Sequence, residues 1–330
     1  MENEISQAIK VAGEENWKEL DLTGHDAQAL PPGIGDLTSL TKLKLDFNEF
    51  TILPPEIGKL TNLTHLSVLE NQLTTVPPEI GNLTKLRELD LGHNQITALP
   101  PEIKKLIHLQ KICLDHNDFT RLVPEIENLA SLIELSLEAN HFSDVPPEIG
   151  KLASLKYLSL SENELTSLSP AIASLTHLTE FDLGINQIAV LPPEIGKLAN
   201  LELLDLNNNQ LTTLPPEIEN LSKMVVVSFA CNQLKDLPAN IGKLSNLREL
   251  DLAENQLTAL PAEIGCLTQL ERLDLLNNKL TILAREISSL TKLDELSLDG
   301  NPLIDPSSDI VDQGVGAILV YLGEKDCELK

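Results

Sequence analysis

Three histidines, a cysteine and an aspartate fall in successive copies of a sequence repeat, at His65, His93, Cys113, Asp115 and His116. Imidazole, thiolate and carboxylate groups are ligands that zinc accepts in proteins. Side chains from successive copies would project in parallel, however, whereas a tetrahedral site needs ligands that converge on one point. We therefore predict solvated histidines, with no metal site and no bound cofactor.

Nucleophilic catalysis has little support. Ser136, Ser159, Ser228 and Ser297 share one repeat position, but no histidine is placed to activate them. The phosphate-binding pattern G-x-x-x-x-G-K-[ST] does not occur in this chain. The sequence predicts a binding protein and not an enzyme.

An asparagine recurs every 23 residues through more than 250 residues, without an insertion or a deletion. A fixed period of this length indicates a solenoid, in which each repeat packs on its neighbours. A short amide side chain can both donate and accept hydrogen bonds. We therefore expect this asparagine ladder to satisfy buried backbone groups where each repeat turns. The ladder consists of Asn48, Asn71, Asn94, Asn117, Asn140, Asn163, Asn186, Asn209, Asn232, Asn255, Asn278 and Asn301.

Each repeat contains a short alternating segment followed by a proline turn. In one copy, Leu43 and Leu45 alternate with polar residues, which is the pattern of a strand with one buried face. Pro54 and Pro55 then lack backbone donors and favour an extended turn. One repeat cannot bury its aliphatic surface alone, so neighbours must stack in parallel. The sequence predicts an α/β solenoid with a concave parallel sheet of about thirteen strands.

Both ends of such an array need a cover for the exposed core. Residues 1–16 show apolar side chains at helical spacing, and so do residues 304–330. We predict a cap helix in each of these segments, with the repeats occupying residues 17–303. The capping residues are Ile5, Ala8, Ile9 and Ala12 at the front, and Ile310, Val311, Val315, Ile318, Leu319 and Leu322 at the back.

The pattern L-x-x-L-x-L-x-x-N-x-L, as in Leu40 to Phe50, resembles the leucine-rich repeat family from Trp17 to Leu303. That resemblance implies a leucine-rich-repeat horseshoe that binds other proteins.

Two further segments resemble a narrower group. Leu53 to Leu60 is similar to the intracellular 23-residue subclass found in Ras-associated scaffold proteins and in Roc–COR (ROCO) proteins. The segments Asn301–Leu303, Ile310–Gly314 and Ala317–Leu322 resemble the link between repeats and GTPase domain in ROCO proteins. An alternative role follows, as a regulatory part of a ROCO-type GTPase system, with a small GTPase or a Roc domain as partner.

Composition excludes several partners. The chain carries 50 acidic and 24 basic residues, a formal net charge of -26, which disfavours nucleic acid and anionic membranes. We expect no signal peptide, because the opening residues lack a basic region followed by an apolar stretch. The four cysteines (Cys113, Cys231, Cys266, Cys327) are dispersed, as in reducing compartments. We expect a cytoplasmic protein with a cationic protein partner.

The candidate binding surface is the open face of the sheet, formed by side chains six, four and two residues before each ladder asparagine and before His25, which holds the equivalent position in the first repeat. Sixteen of these positions carry Asp or Glu and four carry Lys or Arg. An apolar centre interrupts the acids and indicates a docking patch. The predicted partner-binding residues are Glu134, Glu138, Glu180, Asp182, Ile185, Leu203, Val225 and Val226.

Overall fold

The computed structural model describes residues 2–328, with side chains described for residues 4–325. Cys327, one of the dispersed cysteines, therefore has a side chain outside the described residues. The chain forms two compact units, Met1–Glu164 and Leu165–Lys330.

In the described range the repeats form thirteen three-residue strands, all parallel and ordered as in the chain. The predicted parallel sheet of thirteen strands is confirmed. The first unit contains β1 Glu19–Asp21, β2 Lys42–Lys44, β3 His65–Ser67, β4 Glu88–Asp90, β5 Lys111–Cys113, β6 Glu134–Ser136 and β7 Tyr157–Ser159. The second contains β8 Glu180–Asp182, β9 Leu203–Asp205, β10 Val226–Ser228, β11 Glu249–Asp251, β12 Arg272–Asp274 and β13 Glu295–Ser297.

Within each unit, the register between neighbouring strands equals the sequence period, so equivalent residues stand side by side. Leu43 pairs with Leu66 across β2 and β3, for example, and both side chains are buried. Lys42 and Lys44, on either side of Leu43, are exposed. One face of each strand therefore contributes to an aliphatic core, and the other is the open face.

Each strand from β1 to β12 is followed by a return segment that contains a five-residue 3₁₀ helix. Prolines begin most of these helices, since their missing N–H is not needed in the first turn. The described residues contain twelve such helices: Pro32–Asp36, Pro55–Lys59, Pro78–Asn82, Pro101–Lys105, Pro124–Asn128, Pro147–Lys151, Pro170–Ser174, Pro193–Lys197, Pro216–Asn220, Ala239–Lys243, Ala262–Cys266 and Arg285–Ser289.

Helices cover the core at both ends of the chain. The first helix, α1 (Glu2–Glu14), packs on Pro32–Asp36 and buries Ile5 completely. A short helix, α2 (Ser308–Val311), precedes α3 (Val315–Glu328), which packs on Arg285–Ser289 through the buried side chains of Ile318 and Leu322. Within the part of the chain described here, no helix is both long and apolar enough to cross a bilayer.

Candidate functional site

A ladder asparagine lies four residues beyond the end of each strand from β2 to β13. The Asn117 amide nitrogen donates to the carbonyl oxygens of Leu91, Leu114 and Asp115, at 2.9, 3.2 and 3.0 Å. Its carbonyl oxygen accepts a bond from the Ile96 backbone N–H at 2.9 Å. This amide joins neighbouring repeats and has no free group for a ligand, so its geometry is that of a structural element.

The residue before each ladder asparagine adopts a left-handed backbone conformation. In the second unit this residue is Ile185, with φ of 52° and a side chain 49% exposed. A left-handed φ is energetically costly for a β-branched residue. Because the Ile185 side chain is exposed, packing in the core does not offset that cost. Asn208 and Cys231, neither of them β-branched, occupy the same position in the next two repeats.

Several acids of the open face already have cationic partners on neighbouring strands. Lys111 lies 2.7 Å from the predicted partner-binding residue Glu134, and that hydrogen bond raises the pKa of Lys111. Lys42 lies 3.3 Å from Glu19 in the same way. The charge at Glu134 is therefore partly neutralised, a pairing that a count of acids along the sequence does not reveal.

A second group of acids supports the backbone. Asp182 and Asp205 lie at the ends of β8 and β9, and each accepts a hydrogen bond from the backbone N–H two residues further on, at 3.0 and 2.8 Å. Asp251 at the end of β11 does the same at 3.0 Å. Sequence reasoning missed this role, although an Asp two residues before an irregular segment is a known signal for such turns. These aspartates shape the strand ends as well as contributing charge.

Burial has raised the pKa of two of these aspartates, Asp205 and Asp251, above the ordinary value. Nearby carboxylates raise them further: Asp182 acts on Asp205, and Asp274 acts on Asp251. No cation is among the causes of either shift within the described structure. Both carboxylates are thus held in the fold at an electrostatic cost near neutral pH.

This cost predicts a pH-dependent gain in stability. Between the ordinary and the raised pKa the folded protein binds more protons than the unfolded chain, so these groups add stability as pH falls through that range. The variant Asp205→Asn, Asp251→Asn keeps the accepting oxygens and removes the charges. We expect it to be roughly 0.5–1 kcal/mol more stable than wild type at neutral pH, allowing for solvent screening. Urea midpoints at neutral and mildly acidic pH check this, and the variant should gain less on acidification. An equal gain in both proteins would contradict the assignment.

The apolar residues of the predicted patch lie mainly on β9 and β10. Leu203 and Val226 stand side by side in the register, and both are half-buried on the open face. Val225, half-buried, immediately precedes β10, while Val227 is directed into the core. In the second unit the structure therefore brings Leu203 and Val226 together as an apolar pair.

Two histidines of the first unit stack on each other, and a third contacts an acid. The rings of His93 and His116 stack with centroids 4.0 Å apart and an interplanar angle of 16°. His65 lies 3.4 Å from Glu88. The Cys113 thiol donates to Asp115 at 3.1 Å, and burial strongly raises its pKa, so the thiolate is disfavoured. Among the described residues, no group of three or more His, Cys, Asp or Glu has the arrangement of a metal site.

Family comparisons agree with the repeat geometry. The family model described as "Leucine-rich repeat region" matches residues 172–253. A second model, "Leucine rich repeat", matches residues 38–96, 61–119, 84–142, 130–188 and 245–303. Together the matches span residues 38–303 without a gap.

The chain belongs to the leucine-rich repeat family. Among solved structures, a leucine-rich repeat protein of Leptospira interrogans is 34% identical, with a TM-score of 0.62, over 92% of this chain and 96% of that one. An internalin (InlF) of Listeria monocytogenes is 25% identical, with a TM-score of 0.70, over 89% and 94%. YopM of Yersinia enterocolitica is 26% identical, with a TM-score of 0.66, over 91% and 60%. No curated protein sequence matches the chain.

Leucine-rich repeat arrays commonly mediate protein–protein interaction, because stacked repeats present an extended surface. The open face of this leucine-rich repeat protein combines acids, backbone-capping aspartates and an apolar pair. Such a surface can bind through charge and apolar contact, the two contributions typical of a protein interface.

Proposed function

We propose that this leucine-rich repeat protein is a cytoplasmic scaffold that binds a cationic protein on its acidic open face. The observation that carries the proposal is the excess of sixteen acidic over four basic residues on that face. Charges of one sign on a sheet repel one another, and a cationic partner relieves that repulsion. The resemblance of Leu53 to Leu60 to the intracellular 23-residue subclass, which includes Ras-associated scaffold proteins, supports this role.

Different residues would make different contributions to binding. In the first unit, Glu134 and Glu138 would attract the partner at long range, and Glu134 would have to exchange its Lys111 contact on binding. In the second unit, Glu180 would also attract the partner at long range. Asp182 would contribute charge while keeping its hydrogen bond from the Gly184 backbone N–H. The apolar residues Ile185, Leu203, Val225 and Val226 would supply the contact area that charge alone does not give.

Charge reversal on the open face tests the proposal. Immobilised wild-type protein, at low ionic strength, should retain a small set of proteins from native lysate. The variant Glu138→Lys, Glu180→Lys should lose them, with a drop of about tenfold or more in the amount retained. Glu148→Lys, Glu194→Lys is the matched control, because it makes the same change of charge in the 3₁₀ helices of the two units. Equal retention by all three proteins would rule out the acidic open face as the binding surface.

A second candidate function is that of a regulatory leucine-rich repeat part in a ROCO-type GTPase system. The feature that favours it is the C-terminal segment Asn301–Leu303 with Ile310–Gly314 and Ala317–Leu322, which resembles the link to the Roc domain. If the protein has this function, the proteins that it retains from native lysate include a small GTPase or a Roc-type GTPase. Capture of cationic proteins without any GTPase would leave the scaffold role as the better account.

A further inference from the structure

Four equivalent residues of the second unit form a row across the strands. The register pairs Glu180 with Leu203, Leu203 with Val226, and Val226 with Glu249. Strand alternation directs all four side chains toward the open face, and none of them is buried. Two apolar side chains therefore stand between two carboxylates, in a row we call the β8–β11 row.

Among the described residues, Arg272 is the cation that contacts a carboxylate of this row, and its contact with Glu249 is long. Arg272 forms its short contact with Glu295, at 2.6 Å, and approaches Glu249 only to 3.9 Å. Asp205 and Asp251 lie two residues further along their strands, and neither has a Lys or Arg ion pair within the described residues. An apolar pair between Glu180 and Glu249, whose contact with Arg272 is long, disfavours an acidic or purely apolar partner and favours a cationic one.

The spacing of the row defines the shape of the partner. Neighbouring strands lie about 4.8 Å apart, so three steps from Glu180 to Glu249 span roughly 14 Å. In an extended chain, residues i and i+4 are separated by roughly 13–14 Å and point to the same side, with residue i+2 midway between them. Basic side chains at i and i+4 can therefore reach Glu180 and Glu249, while residue i+2 sits over Leu203 and Val226.

We infer that the β8–β11 row binds an extended protein segment that crosses the strands, with two basic residues four positions apart and an aliphatic residue midway between them. This inference rests on the proposed function and specifies the chemistry of the partner. The basic residues contact the carboxylates at the ends of the row, and the aliphatic side chain covers the apolar pair. Removing apolar surface from water supplies short-range affinity, and the charges fix position and direction of approach.

Synthetic peptides test the spacing directly. The probe is a fluorescein-labelled nonapeptide, Gly-Ser-Lys-Ser-Leu-Ser-Lys-Ser-Gly, and its control has the same composition with Leu and the second Lys exchanged. Fluorescence anisotropy with the full chain at low salt should give about fivefold tighter binding for the probe, because only its residues match the row. Equal affinity for the two peptides overturns the inference, and this comparison needs no variant protein.

Variants then locate the binding site. Glu180→Lys, Glu249→Lys should weaken binding of the probe by about tenfold or more. The matched control Glu194→Lys, Glu263→Lys makes the same change of charge in two 3₁₀ helices of the second unit and should leave binding within about twofold. Circular dichroism and unfolding midpoints verify that each variant folds. Equal loss in both double variants would mean that net charge alone attracts the probe, and it would overturn the assignment to the row.

A second pair of substitutions tests the apolar contact. With Leu203→Ser, Val226→Ser, replacing the probe's Leu by Ser should no longer change the affinity, whereas wild type should lose about threefold or more. If wild type itself does not distinguish the two peptides, the apolar contact is absent and the inference is wrong.

Failure here can be separated from failure of the proposed function. Should the Glu138→Lys, Glu180→Lys protein lose its captured partners while the peptides bind equally, the acidic face is functional and only this partner chemistry is wrong. Should wild type and that variant capture the same proteins, the proposed function fails, whatever the peptides do.

Discussion

Asn117→Asp should lower the free energy of unfolding by roughly 3–5 kcal/mol at neutral pH, more than the roughly 1–3 kcal/mol expected for Asn117→Ala. The side chain is 4% exposed, and its amide nitrogen faces the carbonyl oxygens of Leu91, Leu114 and Asp115. A carboxylate there would place negative charge against three acceptors, without a cation to compensate. Alanine removes the bonds and leaves the Ile96 N–H without its partner, but it introduces no charge.

Denaturant unfolding at two pH values separates these effects. The introduced Asp would have a raised pKa in the fold, so acidification should restore part of the stability of Asn117→Asp and little of that of Asn117→Ala. Asn128→Asp is the control, because Asn128 is exposed and its substitution should cost less than about 0.5 kcal/mol. If Asn117→Asp were as stable as wild type at neutral pH, the hydrogen-bond geometry of the ladder would be wrong.

The strands and the core were predictable because the period reduces the fold to a repeated local problem. Leu43 and Leu66 are 23 residues apart, and they become neighbours in the sheet wherever the period holds. Alternation then decides which side chains enter the core, as with Leu43 between two exposed lysines. Once the structure of one repeat is known, the period determines most contacts between repeats, so a regular sequence gives a regular structure.

The open face was less predictable, since a residue type does not determine which neighbour its side chain contacts. Glu134 and Glu180 occupy the same repeat position, yet Glu134 is paired with Lys111. Asp205 and Asp251 appear in the sequence as surface charges, and the structure shows both also holding backbone N–H groups at strand ends. These differences depend on side-chain geometry across strands, which a count of charges does not contain.

The repeat pattern of the sequence does not identify the partner. The family relationship accounts for an extended surface, because stacked repeats present one, and such surfaces commonly mediate protein–protein interaction. The choice of partner depends instead on the few side chains that differ between repeats, such as Leu203 and Val226 between Glu180 and Glu249. A comparison of family members as distant as 25–34% identity does not transfer such residues. The peptide and charge-reversal experiments therefore address what the repeat pattern leaves open.

Phe142→Ala should destabilise the protein by roughly 3–5 kcal/mol, because the Phe142 ring is 0% exposed and its loss leaves a cavity inside the stacked repeats. The same repeat position holds Leu73 and Ile96 in earlier copies, both fully buried. Phe142→Leu should therefore cost only about 1–1.5 kcal/mol, since the position accepts an aliphatic side chain.

Thermal and denaturant unfolding of the two Phe142 variants measure this difference. The backbone N–H of Phe142 bonds to the Asn163 side chain at 3.0 Å in wild type, and neither substitution removes that N–H. The comparison therefore isolates side-chain packing from the asparagine ladder. Equal loss in both variants would mean that the ring shape itself is required. Loss in neither would mean that the core at this repeat is loosely packed, contrary to the complete burial of Phe142. We expect Phe142→Ala to have a much lower free energy of unfolding than Phe142→Leu. That result would show that each repeat needs a large apolar side chain at this position to keep neighbouring repeats packed.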